Sequence, residues 1–455
     1  MANACSIAAA NNACSTTGTG TGTVAAKSCY SLVSQLKRAR AGIVVFLLLA
    51  TGNLRLQFHP LMKRGLAEPG TPELVQHEKE QPWRTTVPIL QVEVPAWLED
   101  YAAFHSTSIA QAKLLNETTA RDKNNYMIFY CTHREGGSCS GTANQQRAIF
   151  AALVVSIVTK RIFLMEMDKP VRLDQVLGPN LIEWNYSLDP RTATDRNMTT
   201  ERIDHNKLPP VLNAPANFMP QVSSQVIYIR TKEPPELNGL WMSSEVQEFL
   251  ATYNMTTMVP PEQLYKWLFY TLYKPTPLLV HHMHNVTTQL AIPFRTNYVG
   301  VHVRTGDTQF QNNTDNYLLG GERPQSFVSC ANKLKDSCFL NATITPIVIV
   351  TDKQDMRKTL SDMDSSVRYI DTKIVHVDLS TDNDLEGLLN VWSDILLLAR
   401  ATCTVTSFAS SYSRLGSEFL GNSKCTAEAT RCDVSCPLLM EEEVEEVEES
   451  DGSII

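Results

Sequence analysis

In the stretch YVGVHVRTGD (298–307), Val299, Val301 and Val303 fall on alternate positions, and His302 and Arg304 follow in the alternate register. Side chains of a strand alternate between its two faces, so the valines share one face and the two nitrogen-rich side chains share the other. Thr305, Gly306 and Asp307 then supply turn chemistry. A guanidinium at the carboxyl end of an apolar strand needs an anion, either a structural carboxylate or a ligand, and open α/β sheets bind ligands at those strand ends. Further along, Asp352 closes the apolar run IVIVTD, and Asp394 interrupts the apolar helix pattern LLNVWSDILLLARA. Ser410 and Ser411 stand where the strand TCTVTS passes into a helix, and Asn144 opens another helix in SGTANQQR. Each has a structural alternative: a turn for Asp352, a partner for Arg400 or Arg414 in the case of Asp394, and helix caps for Asn144 and the serines.

The elements that must position these residues follow from periodicity. YMIFYC reads as a strand, and THREGGSCSGTA as a glycine-rich loop. NQQRAIFAALVVSIVTK is a helix with Ile149, Phe150, Leu153, Val154 and Ile157 on one face, and RIFLMEM is the next strand, which completes a βαβ unit. Residues 170–260 are less regular, with Pro-rich breaks. PPEQLYKWLFYTLYKPTPLL reads as a helix ended by Pro275 and Pro277, followed by a polar link. From Tyr298 the order is strand YVGVHVR, helix PQSFVSCANKLKDS, strand TPIVIVTD, strand KIVHVDL, helix DLEGLLNVWSDILLLARA, strand TCTVTS and helix SSYSRLGSEFLG. Strands alternating with helices imply parallel sheets with right-handed crossovers. The expected fold class is α/β, with two Rossmann-like halves facing a cleft that would hold the site.

VGVHVRTGD, IVIVTDKQD and DILLLARATCTVTSFASSYSRLGSEF occur in that order between residues 299 and 419. Together they resemble the α1,6-, α1,2- and protein-O-fucosyltransferase superfamily, whose first motif is HxRxGD-like. YKPTPLL is similar to the Arg-Pro-x-Pro-Trp-Leu run that precedes that strand in the α1,6 branch. SFASSYSR keeps Phe408, Ser410 and Arg414 of the final motif, with Ser411 where that branch carries Gln. SGTANQQR is similar to the Gly-x-x-Asn-Gln loop of the first domain, and the resemblance spans 125–167 and 260–421.

This resemblance implies a GT-B-like fold and inverting transfer of fucose from GDP-fucose to a glycan or glycoprotein acceptor, generally without a metal or other cofactor. It makes Arg304 the clamp on the diphosphate, which a guanidinium holds bidentately, with His302 positioning the nucleotide. Asp394 aligns with an aspartate that contacts the nucleotide; Ser410 and Ser411, where the last strand enters its helix, can also hold the diphosphate through their hydroxyls and the first free N–H groups, and Asn144 can meet substrate from the first domain. Asp352 stands at a strand end toward the same cleft. An inverting displacement also needs a base for the acceptor hydroxyl, and Asp307, Asp315 and Glu322 follow the arginine strand. Asn312 stands where the α1,6 branch carries a glutamate, which leaves the linkage open. Three other readings stay open: a metal-dependent transferase using DMD (362–364) or DND (382–384), transfer from another GDP-sugar, and a lumenal binding protein of the same fold.

Composition bounds the setting. The 455 residues, 43% hydrophobic, suffice for two or three domains with real cores. The net charge of -8 comes largely from MEEEVEEVEESDGS, so the chain offers neither nucleic acid nor an acidic surface a basic partner. KRAR (37–40) precedes the apolar run AGIVVFLLLATGNL (41–54), shorter than the ~20 residues of a full span, which suits a short signal-anchor, a cleaved signal peptide or a buried segment. The preferred reading is a type II protein of the Golgi or endoplasmic reticulum membrane with a lumenal catalytic part. Sequons at Asn116, Asn185, Asn197, Asn254, Asn285, Asn312 and Asn341 all follow that run, as do eight of the 11 cysteines. Cys131 with Cys139, and Cys330 with Cys338, are spaced for local bridges, while Cys403, Cys425, Cys432 and Cys436 could form two more or, as an alternative, a zinc site. The expected organisation is a cytoplasmic tail (1–40), a signal-anchor (41–54), a stem (55–100), a first Rossmann-like domain with acceptor-facing insertions (101–295), a GDP-sugar-binding domain (296–440) and an acidic tail (441–455).

Overall fold

The computed structural model describes residues 92–114, 124–132, 139–186, 200–203, 226–230, 240–241, 243–255, 259–293, 296–306, 323–375, 377, 383–408, 410–421, 423–434 and 436. The chain divides into two units, 1–77 and 78–455, and every described residue belongs to the second. The 41–54 run, the acidic tail and the sequons at Asn116, Asn197 and Asn312 lie outside the described residues. Among the described residues no helix is long and apolar enough to cross a membrane.

The first half opens with helix α1 (Ala96–Leu114), which has no counterpart among the expected elements, followed by strand β1 (Tyr126–Cys131). Helix α2 (Thr142–Val158) and strand β2 (Ile162–Met167) complete the expected βαβ unit. All six residues of β1 are buried, because a parallel strand covered on both faces has no solvent side. Met127, Phe129 and Cys131 join the large core with α2, while Tyr126, Ile128 and Tyr130 pack with Ile109 of α1 on the other face. Short strands β3 (Leu177–Pro179), β4 (Thr200–Ile203) and β5 (Val226–Ile229) follow, and the four-stranded parallel sheet runs β2-β1-β5-β4.

Helices α3 (Ser244–Ala251) and α4 (Pro261–Leu272) come next, then strand β6 (Tyr273–Pro275), which pairs antiparallel with β3. The expected polar link after the prolines is instead helix α5 (Pro277–Gln289). Pro277 opens this helix rather than ending the previous one. It occupies the first turn, where its missing N–H costs nothing, and Thr276 caps it by accepting from the Leu279 N–H at 3.3 Å.

The second half holds β7 (Val299–Val303), α6 (Pro324–Cys338), β8 (Ile347–Thr351), α7 (Gln354–Met363), β9 (Val367–Arg368), α8 (Leu385–Arg400), β10 (Cys403–Thr406), the short helix α9 (Ser411–Arg414), which continues as a π-helical turn over Leu415–Leu420, and β11 (Cys425–Glu428). The five strands form a parallel sheet in the order β11-β10-β7-β8-β9. KIVHVDL contributes no strand among its described residues, and the edge of the sheet is Val367–Arg368. Residues 371–375 instead run along the start of α8, where Val375 presses against Gly387 and the Lys373 carbonyl accepts from Asn390 at 3.2 Å.

Val299, Val301 and Val303 pack together against Phe327, Ala331 and Leu334 of α6, as the alternation predicts. The opposite face of β7 meets α8. There the two halves share one core: Phe269 of α4 lies 5.9 Å from Trp392, and Tyr265 stacks on Phe419 at 3.9 Å.

The disulfides correct one expected pairing. Cys131–Cys139 and Cys403–Cys425 form, but Cys330 bonds Cys432 and Cys338 bonds Cys436. Cys330 and Cys338 lie on the single helix α6, and eight residues at ~1.5 Å per residue separate them by about 12 Å, beyond the reach of a disulfide.

Gly300 is the tightest point of the β7–α8 contact, since a Cβ there would lie 2.8 Å from the Ala401 Cβ. Gly300→Ala therefore forces α8 outward and should destabilise the fold by about 1–3 kcal/mol, read as a lower urea midpoint at unchanged slope.

Candidate functional site

Three neighbouring parallel strands end side by side. β7 delivers His302 and Arg304, β8 on one flank delivers Thr351 and Asp352, and β10 on the other leads into Ser407 and Ser410. Because Val303 pairs in register with Thr351, Arg304 and Asp352 emerge together, and the Arg304 Nη1 lies 3.0 Å from the Asp352 Oδ2. The Thr305 N–H and hydroxyl donate to Asp352 Oδ1 at 2.8 and 2.9 Å, and the Gly306 N–H donates to Oδ2 at 3.2 Å. Gly306 holds φ 94°, a left-handed conformation that glycine adopts without a Cβ clash. Burial pushes the Asp352 carboxyl up, and the Arg304 guanidinium followed by the Thr305 donors pulls it back. The turn is further tied to β10, because Ser407 Oγ accepts from the Arg304 N–H at 2.8 Å and donates to the His302 carbonyl at 3.3 Å.

His302 is buried, with Nδ1 2.5 Å from the Ser413 hydroxyl and its ring stacked on Tyr412 at 5.2 Å between centroids. Burial, reinforced by the Arg304 charge, lowers its pKa to about 3, so the ring is neutral at physiological pH. Tyr412 is fixed in turn by donating to the Val391 carbonyl at 2.7 Å.

Beside this cluster lies a cavity of about 60 Å³, room for a few waters, among His302, Arg304, Asp352, Asp394, Arg357 and Tyr412. Thr351, Lys373 and Asn390 complete its polar lining, and Val350, Ile374, Val375 and Val391 add apolar wall. Asp394 opens onto it from the middle of α8, and no described residue donates a hydrogen bond to its carboxylate. Burial raises the Asp394 pKa to about 7, with the Arg357 charge pulling the other way. Its expected structural partners are engaged elsewhere. Arg400 donates to the Ile292 carbonyl at 2.9 Å and lies over the Tyr298 ring, and Arg414 pairs with Glu418 at 2.9 Å.

The structure thus gathers Arg304, His302, Asp352 and Asp394 around one cavity. Ser410 caps α9, its hydroxyl accepting from the Ser413 N–H at 3.4 Å, and Ser411 is half-buried at the helix start; neither lines the cavity. Asn144 also stands apart, in the first turn of α2, donating to the Ser140 hydroxyl at 3.1 Å. Gly141, not Asn144, occupies the cap position. Asp307, Asp315 and Glu322 lie outside the described residues. Of the DxD acids, Asp364 accepts from Asn332 at 2.6 Å and from Ser366, while Asp384 caps α8 and pairs with Lys373 at 2.6 Å.

Five polar lining residues are absent from the sequence candidates: Thr351, Arg357, Lys373, Asn390 and Tyr412. Arg357 carried a signal, since it shares the buried face of the ten-residue helix α7 with Leu360, three positions on. A cation on that apolar face calls for a buried acceptor.

No family model and no curated protein matches this chain. Among solved structures it is similar to a mutant of Arabidopsis thaliana FUT1 in complex with GDP, at 12% identity over 74% of this chain and 80% of that one, with a TM-score of 0.48. It is also similar to NodZ α1,6-fucosyltransferase soaked with GDP-fucose (12% identity, 65% and 92% coverage, TM-score 0.40), a protein crystallised from Bradyrhizobium. A third is POFUT1 in complex with GDP-fucose, at 11% identity, 67% and 97% coverage and a TM-score of 0.37.

The His302 environment has a measurable sign. Its folded pKa of about 3 lies below the usual histidine value, so the unfolded chain binds the proton first and His302 costs stability as pH falls below about 6.5. The raised Asp352 and Asp394 act in the opposite sense, so the effect is read as a difference between two chains. Relative to His302→Gln, the wild type should lose up to about 1.4 kcal/mol per pH unit between pH 6 and 4 in urea unfolding.

Proposed function

We propose that this protein is an inverting fucosyltransferase that moves fucose from GDP-fucose to a glycan or glycoprotein acceptor in the secretory pathway. The observation that carries the reading is Arg304. It stands at the carboxyl end of the central strand of a parallel sheet, oriented by Asp352 and bordering the cavity that Asp394 opens onto. A sugar nucleotide departs as a diphosphate, and its developing charge is best met by a preorganised cation that stays ionised. Arg304 supplies that cation. The Asp352 carboxylate that holds it in the free protein yields one side of the guanidinium fork to phosphate oxygens while still fixing the Thr305–Gly306 turn. Neutral His302, locked against Tyr412 and Ser413, shapes the wall beside it without adding charge.

On this reading Asp394 receives the base. A carboxylate is an acceptor only, and guanine presents donors along its N1–H and N2–H₂ edge. Ser411 is the nearer of the two serines to a free role at the diphosphate, because the Ser410 hydroxyl already caps α9. Deprotonation of the acceptor falls to a carboxylate after the arginine turn, with Asp307 the first in the chain. The four disulfides and the run of sequons support an oxidising, lumenal setting for the folded part, anchored through the 41–54 segment in the Golgi membrane.

The test is a donor screen by GDP or UDP release across an acceptor panel, with and without chelator. GDP-fucose should be the donor turned over, and Arg304→Ala should lower its turnover by at least about 10²-fold while the circular dichroism stays native. Near-normal turnover in Arg304→Ala would sink the assigned role. Turnover of another nucleotide sugar, or activity lost with chelator, would replace the donor or mechanism. GDP binding without turnover would make the protein a lumenal binder.

A further inference from the structure

Arg357 is 3% exposed and forms no ion pair with any described carboxylate. Its Nη1 donates to the carbonyls of Ile370 and Thr372, both at 2.7 Å, and reaches Gln354 Oε1 at 3.3 Å, while its Nε is buried with no described acceptor. Such an arrangement fixes the guanidinium in place without neutralising it, and a buried unneutralised cation is costly unless its field is used. What faces that field is Asp394. Beyond the cavity shared with Arg304 lies a smaller one of about 10 Å³, and only Arg357, Asn390 and Asp394 among the described residues line both.

We propose that Arg357 sets the base specificity of the donor site, by keeping the Asp394 carboxylate ionised and presented to the cavity it shares with Arg304. This rests on the nucleotide-sugar reading above. An ionised carboxylate accepts both edge donors of guanine, whereas adenine presents an acceptor at N1, which the same carboxylate repels. A protonated Asp394 would lose that discrimination. Arg357 is thus a positioning residue: it acts on the base through Asp394.

Other charged and titratable groups face Asp394 from the elements packed around it. From β7 come His302, neutral because burial lowers its pKa to about 3, and Arg304, paired with Asp352 from β8. The 371–375 segment brings Lys373, paired with Asp384, and α9 brings Tyr412, whose hydroxyl burial pushes well above its usual value. On its own helix the neighbours are Asn390 and Ser393, and His282 of α5 reaches Asn390 rather than Asp394, with burial lowering its pKa. Burial raises Asp394 to about 7, so its charge changes near neutrality, while Asp352 is held by Arg304 and the Thr305–Gly306 turn.

The experiment measures GDP and ADP affinity by calorimetry from pH 6 to 8.5 with the full chain. The wild type should bind GDP about tenfold more weakly at pH 6 than at pH 8, because the carboxylate must be ionised to accept. Arg357→Gln should move that midpoint upward, weaken GDP about tenfold at pH 7, recover toward high pH and narrow the GDP-over-ADP preference at pH 7. Arg357→Lys should keep the wild-type midpoint, and Asp394→Asn should leave GDP with the same pH dependence as ADP, which shares its titrating terminal phosphate. A midpoint unmoved in Arg357→Gln, or a loss equal at every pH, would overturn the proposal. Should Arg357→Gln fail to fold, a GDP pH dependence that still exceeds that of ADP in Asp394→Asn overturns it equally. Absence of GDP binding by the wild type at every pH would instead overturn the nucleotide-sugar reading on which it depends.

Discussion

The Arg304–Asp352 pair is the contact around which the second half is organised. A guanidinium at the end of a strand buried on both faces can stay only where an acceptor meets it, and the parallel register of β7 with β8 brings that acceptor from the next strand. Asp352 does more than neutralise. By accepting from Thr305 and Gly306 as well, it closes the turn after β7, so the cation and the backbone that carries it are held by one carboxylate. The valine face must then pack on α6 and the opposite face on α8, because a shift of β7 by one residue would send Arg304 into the apolar layer.

Charge around the cavity is arranged in couples of different tightness. Arg304 with Asp352 and Lys373 with Asp384 are direct ion pairs, while Arg357 and Asp394 face one another without one. The direct pairs fix geometry: one holds the strand-end turn, and the other ties the 371–375 segment to the start of α8. The looser couple leaves its carboxylate with acceptor capacity, which is what a ligand-binding group requires.

Much of this was legible in the residues alone. The alternation of Val299, Val301 and Val303 against His302 and Arg304 reports the two faces of β7 directly, since the period of a strand has no competing reading there. The βαβ units were legible for the same reason. Three features were not. Pro277 carries the same signal whether it ends one helix or begins the next, and only the Thr276 cap decides. KIVHVDL alternates like a strand, yet Val375 packs on Gly387 of α8 instead of a sheet edge, a tertiary choice that overrides local propensity. Cys330 and Cys338 look close in the chain and are far apart on a helix, so spacing misled where geometry governs. Within the site, the pattern of α7 marks Arg357 as a buried cation, but its main acceptors are the backbone carbonyls of Ile370 and Thr372, which no residue pattern displays.

The corrected disulfides bear on the same cavity. α6, which carries the valine face of β7, is bonded twice to the segment after β11, through Cys330–Cys432 and Cys338–Cys436, and β10 is bonded to β11 through Cys403–Cys425. Helix α6, strand β10 and the far edge of the sheet thereby carry the cross-links on the valine side of the sheet, away from the cavity. The ligand side, by contrast, is held by hydrogen bonds and ion pairs among Arg304, Asp352, Ser407, His302 and Ser413. A covalently fixed back and a polar front suit a site that must exchange partners. Phosphate oxygens can displace one hydrogen bond of Arg304 while β7 stays packed on α6 and paired with β10, the two elements that carry the cross-links.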